Sequence, residues 1–392
     1  MKLLLVCDDY IYCYQGKFYA ANREKANFYL RYLNVFEELR LVTRCEYEAV
    51  LKKNRVLLDS RIEYVPIPFF QGPMQYAKLY FQVGRALRNV SVNCHAAILR
   101  LPSTVAMRVA NQILESKKPL AIEVVFSAHD GYVNETRIIN KLFWKIIDLK
   151  MRRVCHFADG ISCVTKSYLQ KQYYSRVNNS FSSSYSSIDL SKSFYRKNRL
   201  YPNKSVFNII HVANQIEYNG RKGHVEMLKI LKLLIDKGIK VKVTFVGADY
   251  FGGVIKLKNL ADKLGLMEYI DFIGQIDKDD LSKYLDESDL FVLPTKAEGL
   301  PRVIIEAMAK GLPCISTNVS GNSELLDSEF LFKYEDVAAM SDKIYELITS
   351  REKYELASLI NYNRSLDYES LILTERRNLF YRELKNRVCV KN

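Results

Sequence analysis

Two carboxylates in the second half of the chain, Glu298 and Glu306, lie on either side of a turn that leads from a strand into a helix. They belong to the segment 298–313, EGLPRVIIEAMAKGLP, which directly follows the apolar run LFVLP. Pro301 is typical of a first helical residue, because its missing N–H would have no partner there anyway. The sequence therefore predicts one glutamate in the loop and the other about a turn and a half along the helix.

The start of this helix is a candidate anion site. Gly299 and Leu300 precede Pro301 and carry no side-chain oxygen that could cap the helix. The backbone N–H groups of Arg302 and Val303 therefore have no evident local acceptor, and helix starts of this kind bind phosphate and carboxylate groups. With a carboxylate on each side, the arrangement suits a ligand that carries both phosphate and hydroxyl groups.

Composition indicates a soluble globular protein. A length of 392 residues suggests two domains or three, and 48% hydrophobic and 26% charged residues are ordinary values. No apolar run reaches the roughly 18 residues that a membrane helix needs, and the apolar run at the amino terminus is too short for a signal peptide. The eight cysteines form no CxxC pair and no Cys/His metal spacing. These features favour a cytoplasmic protein with reduced thiols.

The positive charge is concentrated in the first half of the chain. Of the net +14, residues 1–190 contribute +11, from 27 Lys and Arg against 16 Asp and Glu, and residues 191–392 contribute the remaining +3. Nucleic acid, an anionic membrane surface and an anionic acceptor would each fit this excess. A solvated basic surface without a specific partner fits it equally well.

Apolar β-rich runs alternate with helical patterns along the whole chain. This order predicts an α/β fold with two Rossmann-like, doubly wound parallel sheets, each covered by helices on both faces. The predicted strands are 2–6, 39–43, 62–67, 96–101, 121–126, 160–165, 207–212, 241–246, 270–274, 290–293, 314–317 and 330–332. The predicted helices are 23–33, 74–88, 103–116, 136–157, 166–174, 222–237, 253–264, 279–286, 301–310 and 336–349.

Two polar segments indicate where the domains meet. Residues 176–187 are polar and low in complexity, and residues 194–205 are charged and rich in turn formers, so both are interpreted as connections. The prediction is a first domain at 1–190 and a second at 205–370. A last helical segment, 371–392, follows the second sheet and is expected to pack back toward the first domain.

The run LFVLPTKAEGLPRVIIEAMAKGLPCISTNVSGNSELL closely resembles the donor-binding motif of retaining glycosyltransferases of family 4, which have the GT-B fold. In that family the motif reads roughly E-G-x-G/P-x-V-x-x-E-A-M-A-x-G-x-P, followed by a glycine turn and a glutamate. The matching positions are Glu298, Gly299, Pro301, Val303, Glu306, Ala307, Met308, Ala309, Gly311, Pro313, Gly321 and Glu324.

The resemblance implies a role for each of these residues. Glu298 would bind the transferred sugar, and the loop of Gly299 and Leu300 would lead to the N–H groups of Arg302 and Val303, which would hold the diphosphate. Glu306 would accept hydrogen bonds from the ribose hydroxyls. Where the family usually has glycine, this chain has a serine at position 320, a change that is expected to be tolerated.

A second match to the family lies at 208–224, NIIHVANQIEYNGRKGH. The family places an arginine about eight residues before a Lys-Gly pair, and the two cations neutralise the diphosphate. Lys222 fits this pattern, but Asn214 occupies the arginine position. Either Arg221 or Arg302 would then supply the missing charge, or stabilisation would rest on Lys222 and the helix start alone.

The resemblance is weaker in the first domain. VFSAHDG at 125–131 is similar to the family's strand-end histidine segment, which implies that His129 lies near the anomeric carbon and the acceptor. Gly16 corresponds to the amino-terminal glycine loop that approaches the phosphates, although the family usually has two adjacent glycines. Asp277 and Asp279 form a DxD pattern that binds divalent cations in other glycosyltransferases. Here a helix cap is the preferred interpretation, and no metal site is expected.

Together these matches imply a metal-independent retaining transferase that uses no cofactor beyond its donor, most simply a UDP- or GDP-sugar. The acceptor would be lipid-linked or a polysaccharide in bacterial surface assembly, and the protein would be cytoplasmic, with peripheral contact to the anionic inner face of the membrane. Two alternatives stay open: a GT-B sugar-nucleotide epimerase or phosphorylase-like enzyme, and, from another class, a basic nucleic-acid-binding protein. Nucleic acid is not the favoured partner.

Overall fold

The structure, a computed structural model, describes residues 1–133, 138–196 and 199–391. The chain divides into two compact units. The first comprises Met1–Tyr185 together with Thr374–Asn392, and the second comprises Ser186–Leu373. Each unit is built on its own sheet, in agreement with the predicted α/β class. The boundary between the units falls inside the polar segment 176–187, and the carboxyl-terminal residues belong to the first unit.

Within the described residues, the first unit contains nine strands. Seven run parallel in the order β5-β3-β1-β6-β7-β8-β9, and β2 and β4 extend one end of β1 as an antiparallel ribbon. The strands are β1 Lys2–Tyr14, β2 Lys17–Ala20, β3 Glu38–Tyr47, β4 Val56–Leu57, β5 Ile62–Pro68, β6 Ala96–Leu101, β7 Leu120–Val124, β8 Gly160–Cys163 and β9 Phe181–Ser184.

Helices cover this sheet, and the core between them is made of buried aliphatic side chains. The helices are α1 Arg23–Leu30, α2 Gly72–Lys78, α3 Tyr80–Ala86, α4 Thr104–Glu115, α5 Ala128–Val133, α6 Ile138–His156 and α7 Tyr168–Gln172. The long α6 buries Ile147, Met151 and Val154 in the same cluster as Val105 and Val109 of α4. These positions follow helical spacing, so burial of one apolar face holds each helix against the sheet.

The second unit has a parallel sheet in the order β12-β11-β10-β13-β14-β15. Its strands are β10 Phe207–Gln215, β11 Val241–Ala248, β12 Ile270–Gly274, β13 Leu290–Leu293, β14 Cys314–Thr317 and β15 Leu331–Phe332. The helices are α8 His224–Asp236, α9 Gly253–Lys263, α10 Lys278–Glu287, α11 Arg302–Ala309, α12 Asn322–Leu325, α13 Val337–Thr349, α14 Arg351–Ser365 and α15 Ser370–Lys391, the last of which continues into the first unit. Strand β13 is buried and apolar along its whole length, as expected when both faces of a sheet are covered.

The predicted strands are present, and the structure differs from the prediction only over short segments. The segment 176–187 is not only a connection, because Phe181–Ser184 forms β9 and pairs with β8. The predicted helix 74–88 is divided between α2 and α3 at Leu79, whose backbone is not helical. The predicted start of helix 136–157 lies partly outside the described residues, and the helix is described from Ile138. Within the described residues, no helix is long and apolar enough to cross a membrane.

A buried carboxylate joins the carboxyl-terminal helix to the first sheet. Glu123 in β7 accepts hydrogen bonds from the hydroxyls of Tyr32 (2.8 Å), Tyr185 (2.9 Å) and Tyr381 (2.7 Å), and pairs with Arg100 at 2.9 Å. Burial raises the pKa of Glu123, but the Arg100 charge and the tyrosine hydroxyls outweigh it, so the pKa ends below its ordinary value. A charge this deep is tolerated because its oxygens are paired on both sides.

Candidate active site

The turn between β13 and α11 forms the centre of the candidate site. Pro301 is not the first helical residue, as predicted, but the N-cap, with an extended backbone at φ −70° and ψ 107°. The helix begins at Arg302, one residue later, because ψ at Pro301 has not yet turned into the helical range. Pro301 makes no side-chain capping bond, in line with the prediction that this helix start has no cap of its own. The start of α11 carries the partial positive charge of a helix N-terminus.

Lys222 and Glu298, predicted separately as site residues, are in direct contact. Lys222 Nζ donates to Glu298 Oε1 at 2.6 Å, and Thr295 Oγ1 donates to the same oxygen at 2.9 Å. Lys222 follows β10 and Glu298 follows β13, and these two strands are hydrogen-bonded neighbours. Because parallel strands end at the same edge of a sheet, their following loops meet there. Glu298 is buried and Lys222 is nearly so, which strengthens their attraction relative to a surface pair.

Gly223 allows the Lys222 loop to approach the strand-end loop closely. Its φ is +70°, a left-handed conformation that glycine adopts without strain. A Cβ at this position would lie 1.7 Å from the carbonyl oxygen of Pro294, which is closer than any contact allows. Arg221 O accepts a hydrogen bond from Lys296 N at 2.8 Å, and Thr295 Oγ1 lies 3.1 Å from the same oxygen, so the two loops are tied together. Backbone packing thus fixes the point from which the Lys222 side chain extends toward Glu298.

A second turn, after β14, supports the first. Gly321 N donates to Gly299 O at 3.0 Å, so the loop that carries Glu298 is held by the next loop along the sheet. Asn322 is buried, and its Nδ2 donates to Ser316 Oγ at 2.9 Å and to Thr317 O at 3.0 Å. Ser320, at the position where the family usually has glycine, has φ +47°. The left-handed backbone gives a physical reason for glycine there, and serine adopts it at a modest cost.

The other predicted donor-side residues lie on the same turn, on α11 and at the end of β10. Glu306 lies in α11, four residues after Arg302 and on the same face of the helix, and is half-buried. Leu300 is buried in the loop, and Arg302 is exposed at the helix start. Asn214 is exposed at the end of β10, on the strand that leads to Lys222. Their placement is compatible with the predicted contacts to a nucleotide, which remain predictions.

Sequence reasoning did not single out two buried histidines next to Lys222. His224 begins α8 directly after Gly223, and its ring centroid lies 4.7 Å from that of His211 in β10. His211 Nδ1 lies 3.0 Å from Val292 O, whereas His211 Nε2 and both ring nitrogens of His224 have no hydrogen-bond partner within the described part of the chain. The sequence feature that could have indicated this pair is His224, which directly follows Lys222 and Gly223.

Burial and the neighbouring Lys222 charge lower the pKa of His224 to about 4. Burial, together with His224, lowers the pKa of His211 well below its ordinary value. Both rings are therefore neutral at neutral pH. A neutral pair beneath the loop leaves Lys222 as the cation that the loop presents beside Glu298.

The remaining predicted residues lie in the first unit. Gly16 sits in the turn between β1 and β2, at φ +73°, and open space surrounds it. His129 is not at the end of a strand but in α5, five residues after the end of β7, with about half of its side chain exposed and Nδ1 3.7 Å from Asp130 Oδ1. Their predicted roles toward phosphate and acceptor are not tested by these contacts.

The interpretation of Asp277 as a helix cap is confirmed. Its Oδ1 accepts a hydrogen bond from Asp280 N at 2.9 Å at the start of α10. Within the described residues, no group of three or more His, Cys, Asp or Glu side chains is arranged to hold a metal ion.

The donor-side turn lies inside a segment that matches a known family. Residues 193–365 match the family described as glycosyl transferases group 1. This segment is a group 1 glycosyltransferase domain. It contains the Lys222–Glu298 pair, both glycine turns and the whole of α11, so the predicted resemblance to glycosyltransferases is confirmed at the level of group 1. The match covers most of the second unit.

Similar proteins extend the comparison along the chain. Protein CapJ of Staphylococcus aureus is 26% identical over 360 residues, covering 91% of this chain and 88% of its own. The capsular polysaccharide biosynthesis glycosyltransferase CapH of the same organism is 22% identical over 67% of this chain and 68% of its own. UDP-Gal:alpha-D-GlcNAc-diphosphoundecaprenol alpha-1,3-galactosyltransferase of Escherichia coli is 31% identical, over 23% of this chain and 26% of its own.

Solved structures of similar fold cover nearly the whole chain. Sucrose-phosphate synthase from Thermosynechococcus elongatus superposes with a TM-score of 0.72 at 14% identity, covering 98% of this chain and 99% of its own. Anabaena Alr3699/HepE in complex with UDP superposes with a TM-score of 0.68 at 14% identity, covering 96% and 98%. The fold is accordingly GT-B, as predicted.

Proposed function

We propose that this protein is a retaining glycosyltransferase that moves a sugar from a nucleoside diphosphate sugar to an acceptor hydroxyl. The observation that carries the proposal is the Lys222–Glu298 contact of 2.6 Å near the N-terminus of α11. One cation, one carboxylate and a helix N-terminus within a single edge of a sheet match the needs of a sugar diphosphate. The family match of residues 193–365 supports the same reaction class.

The diphosphate would be bound by the second unit. Lys222 and the first N–H groups of α11, at Arg302 and Val303, would face its oxygens, and Glu306 would accept from the ribose hydroxyls. Asn214 supplies no positive charge where the family has arginine. Next to it, Gln215 Nε2 is a buried donor without a hydrogen-bond partner in the described residues, so an amide can supply one donor at the end of β10.

Charge develops on the leaving diphosphate as the glycosidic bond breaks. The Lys222 ammonium and the α11 start become more favourable as that charge grows, which is the requirement for lowering a barrier rather than only binding substrate. Glu298 would orient the sugar through its hydroxyls. We propose that the acceptor attacks from the face that the diphosphate leaves, and that the leaving phosphate takes the acceptor proton.

No resident metal or cofactor is part of the proposal. Lys222 and the helix start supply the positive charge that the diphosphate needs, and Asp277 of the DxD pattern is engaged at the start of α10. UDP is the first donor nucleotide to test, because HepE was solved with UDP. Unchanged turnover in the presence of EDTA would support metal independence, and lost turnover restored by a divalent cation would contradict it.

The proposed acceptor is a lipid-linked or polysaccharide intermediate of bacterial surface assembly. CapH is named for capsular polysaccharide biosynthesis, and the E. coli relative acts on a diphosphoundecaprenol-linked sugar by its name. The +11 net charge of residues 1–190 suits an anionic diphosphate lipid. Such an acceptor places the reaction at the cytoplasmic face of the membrane.

A thermal-shift screen with UDP-, GDP- and ADP-sugars tests the donor class, and NMR of the product assigns the anomer. One nucleoside diphosphate sugar is expected to raise the unfolding temperature, with the α-configuration retained in the product. Stabilisation should survive moderate salt, whereas binding of nucleic acid would fall steeply with salt. If no nucleoside diphosphate stabilises the protein, the proposal fails.

His129 is the proposed acceptor-side residue. His129→Ala is expected to lower kcat by about a hundredfold while UDP affinity changes by less than about twofold. His95→Ala is the control, since His95 is also exposed in the first unit but lies at the opposite, amino-terminal end of the parallel strands. Wild-type turnover in the His129 variant would remove this residue from the mechanism.

A further inference from the structure

The outer face of α6 is unusually apolar for an exposed surface. Five side chains along it are between 44% and 84% exposed: Ile138, Ile139, Leu142, Ile146 and Leu149. Their spacing places them on one side of the helix, opposite the buried Ile147, Met151 and Val154. The helix is therefore apolar on two faces, of which only one contributes to the core. A contiguous exposed apolar stripe of this kind is typical of a surface that binds a protein or a membrane.

Positive charge flanks the stripe on both sides. Lys141 and Lys145 lie along one border, and Lys150 and Arg153 lie along the other side and the carboxyl-terminal end. The one acidic residue of α6, Asp148, is buried; Arg152 Nε donates to its Oδ2 at 2.9 Å. Along the described length of α6, the exposed face thus carries four cations and no anion.

Apolar and cationic residues in this arrangement suit an interface between lipid headgroups and acyl chains. The apolar side chains enter the acyl boundary, and the long Lys and Arg side chains reach the anionic headgroups. A second copy of the chain is a poorer occupant, because pairing two such faces would bring four cations against four cations. Charge complementarity therefore selects an anionic lipid surface.

The nearby helix α3 also exposes an apolar side chain with cations close by in the sequence. α4 packs beside α6, and Arg108 of α4 donates to Tyr80 O at 2.8 Å, at the start of α3. The outer side of α3 exposes Phe81, with Arg85 and Arg88 close by in the sequence. Because α3, α4 and α6 cover one face of the sheet, their outer sides share a direction.

We propose that the outer face of α6, from Ile138 to Arg153, binds the surface of an anionic bilayer. Such a surface would hold the first unit where a lipid-linked acceptor is found, and only this purpose rests on the proposed function. Binding to the bilayer itself requires neither donor nor acceptor, so the two proposals can fail separately.

Flotation with vesicles tests the proposal on the full chain. One set contains phosphatidylglycerol and phosphatidylcholine in equal amounts, and the other contains phosphatidylcholine alone. The wild-type protein is expected to float with the anionic set, less so at high salt, and to stay unbound with the neutral set. The triple variant Leu142→Ser/Ile146→Ser/Leu149→Ser and the double variant Lys141→Glu/Lys145→Glu are each expected to weaken binding at least about tenfold.

Matched controls place the same changes on the second unit. Leu356→Ser/Leu359→Ser alters two exposed leucines of α14, and Lys229→Glu/Lys263→Glu reverses two exposed lysines of α8 and α9. These variants are expected to bind vesicles like the wild type. Circular dichroism and the thermal shift with UDP should be unchanged in the α6 variants, which separates loss of lipid binding from loss of folding or of donor binding.

Three results would overturn the proposal. The wild type could fail to bind anionic vesicles, or the control variants could lose as much binding as the α6 variants. Light scattering could instead show a wild-type dimer that the triple variant converts to a monomer, with vesicle binding unchanged. In that last case the face would be an interface between copies of this chain.

Discussion

Lys222 Nζ and Glu298 Oε1 lie 2.6 Å apart, although the two residues are 76 positions apart in the chain. Their loops follow β10 and β13, which pair in parallel, and so meet at one edge of the second sheet. The ammonium therefore has an anionic partner before any diphosphate arrives. In the proposed complex, a diphosphate would share Lys222 with Glu298, and its negative charge would be repelled by the Glu298 carboxylate.

Glu298→Gln is expected to tighten UDP binding and slow turnover. Loss of the carboxylate charge removes about 1 kcal/mol of repulsion with the diphosphate, so the Kd for UDP should fall about fivefold. Turnover should fall by roughly a hundredfold, because the sugar loses its charged acceptor. Calorimetry with UDP and steady-state kinetics measure the two effects. Glu329→Gln, which breaks an exposed pair with Lys343, is the control that should change neither; weaker UDP binding in Glu298→Gln would contradict the charge argument.

Glu306→Ala should weaken nucleotide binding without unfolding the protein. Loss of a charged acceptor for the ribose hydroxyls corresponds to about 1.5–3 kcal/mol, or a Kd for UDP that rises about tenfold or more. Glu268→Ala, an exposed acidic residue of the same unit, should leave the Kd unchanged. An unchanged affinity in Glu306→Ala would remove the ribose contact from the proposal.

Gly223→Ala should destabilise the protein more than Gly238→Ala, although both glycines have a left-handed φ near +70° to +78°. At Gly238 a Cβ meets open space, so the cost is the backbone strain of about 1 kcal/mol. At Gly223 the Cβ would collide with Pro294 O at 1.7 Å, so the loop must move and UDP binding should be lost. Urea unfolding and calorimetry compare the two variants; equal effects would show that the loop is not confined by Pro294.

His224 makes stability depend on pH. Its pKa in the folded protein is about 4, below the ordinary value near 6.5, so the unfolded chain binds the proton more tightly. Its contribution is complete above about pH 6.5 and is lost as pH falls toward 4, by about 2 kcal/mol between pH 7 and pH 5. His224→Leu should flatten the pH dependence of urea unfolding by that amount, whereas His95→Leu, at an exposed site, should not.

Tyr381→Phe should loosen the carboxyl-terminal helix from the first unit. The substitution removes one hydrogen bond to the Glu123 carboxylate, worth about 1.5–3 kcal/mol. Fluorescence of the single tryptophan, Trp144 in α6, reports unfolding of this unit in urea. Tyr47→Phe, at an exposed tyrosine of the same unit, is the control. Because the pKa of Glu123 is lowered, the stability that it contributes is present at neutral pH and is lost as pH falls through its folded pKa.

The sequence by itself determined the elements and the donor-side motif. Short apolar strands alternating with amphipathic helices specify parallel sheets covered on both faces. Strands and helices have different hydrophobic patterns, and each pattern can be read within a short stretch of sequence. The segment 298–313 is likewise a local pattern, so the placement of Glu298 in a loop and of Glu306 in the following helix was predictable to within one residue of the helix start. From the sequence, Ser320 is only a departure from the glycine that is usual in the family. Its positive φ in the structure gives the physical reason for that glycine.

Tertiary structure decided what these residues touch. The Lys222–Glu298 contact depends on which strands are neighbours, and β10 lies beside β13 although two strands separate them in the chain. The same long-range packing brings Pro294 against Gly223, buries His211 against His224 and gathers three tyrosines on Glu123. The apolar face of α6 is similar: its periodicity predicts a helix, but only the packed structure shows which of its two apolar sides is left exposed. Such contacts depend on strand order and burial, which no local pattern of residues encodes.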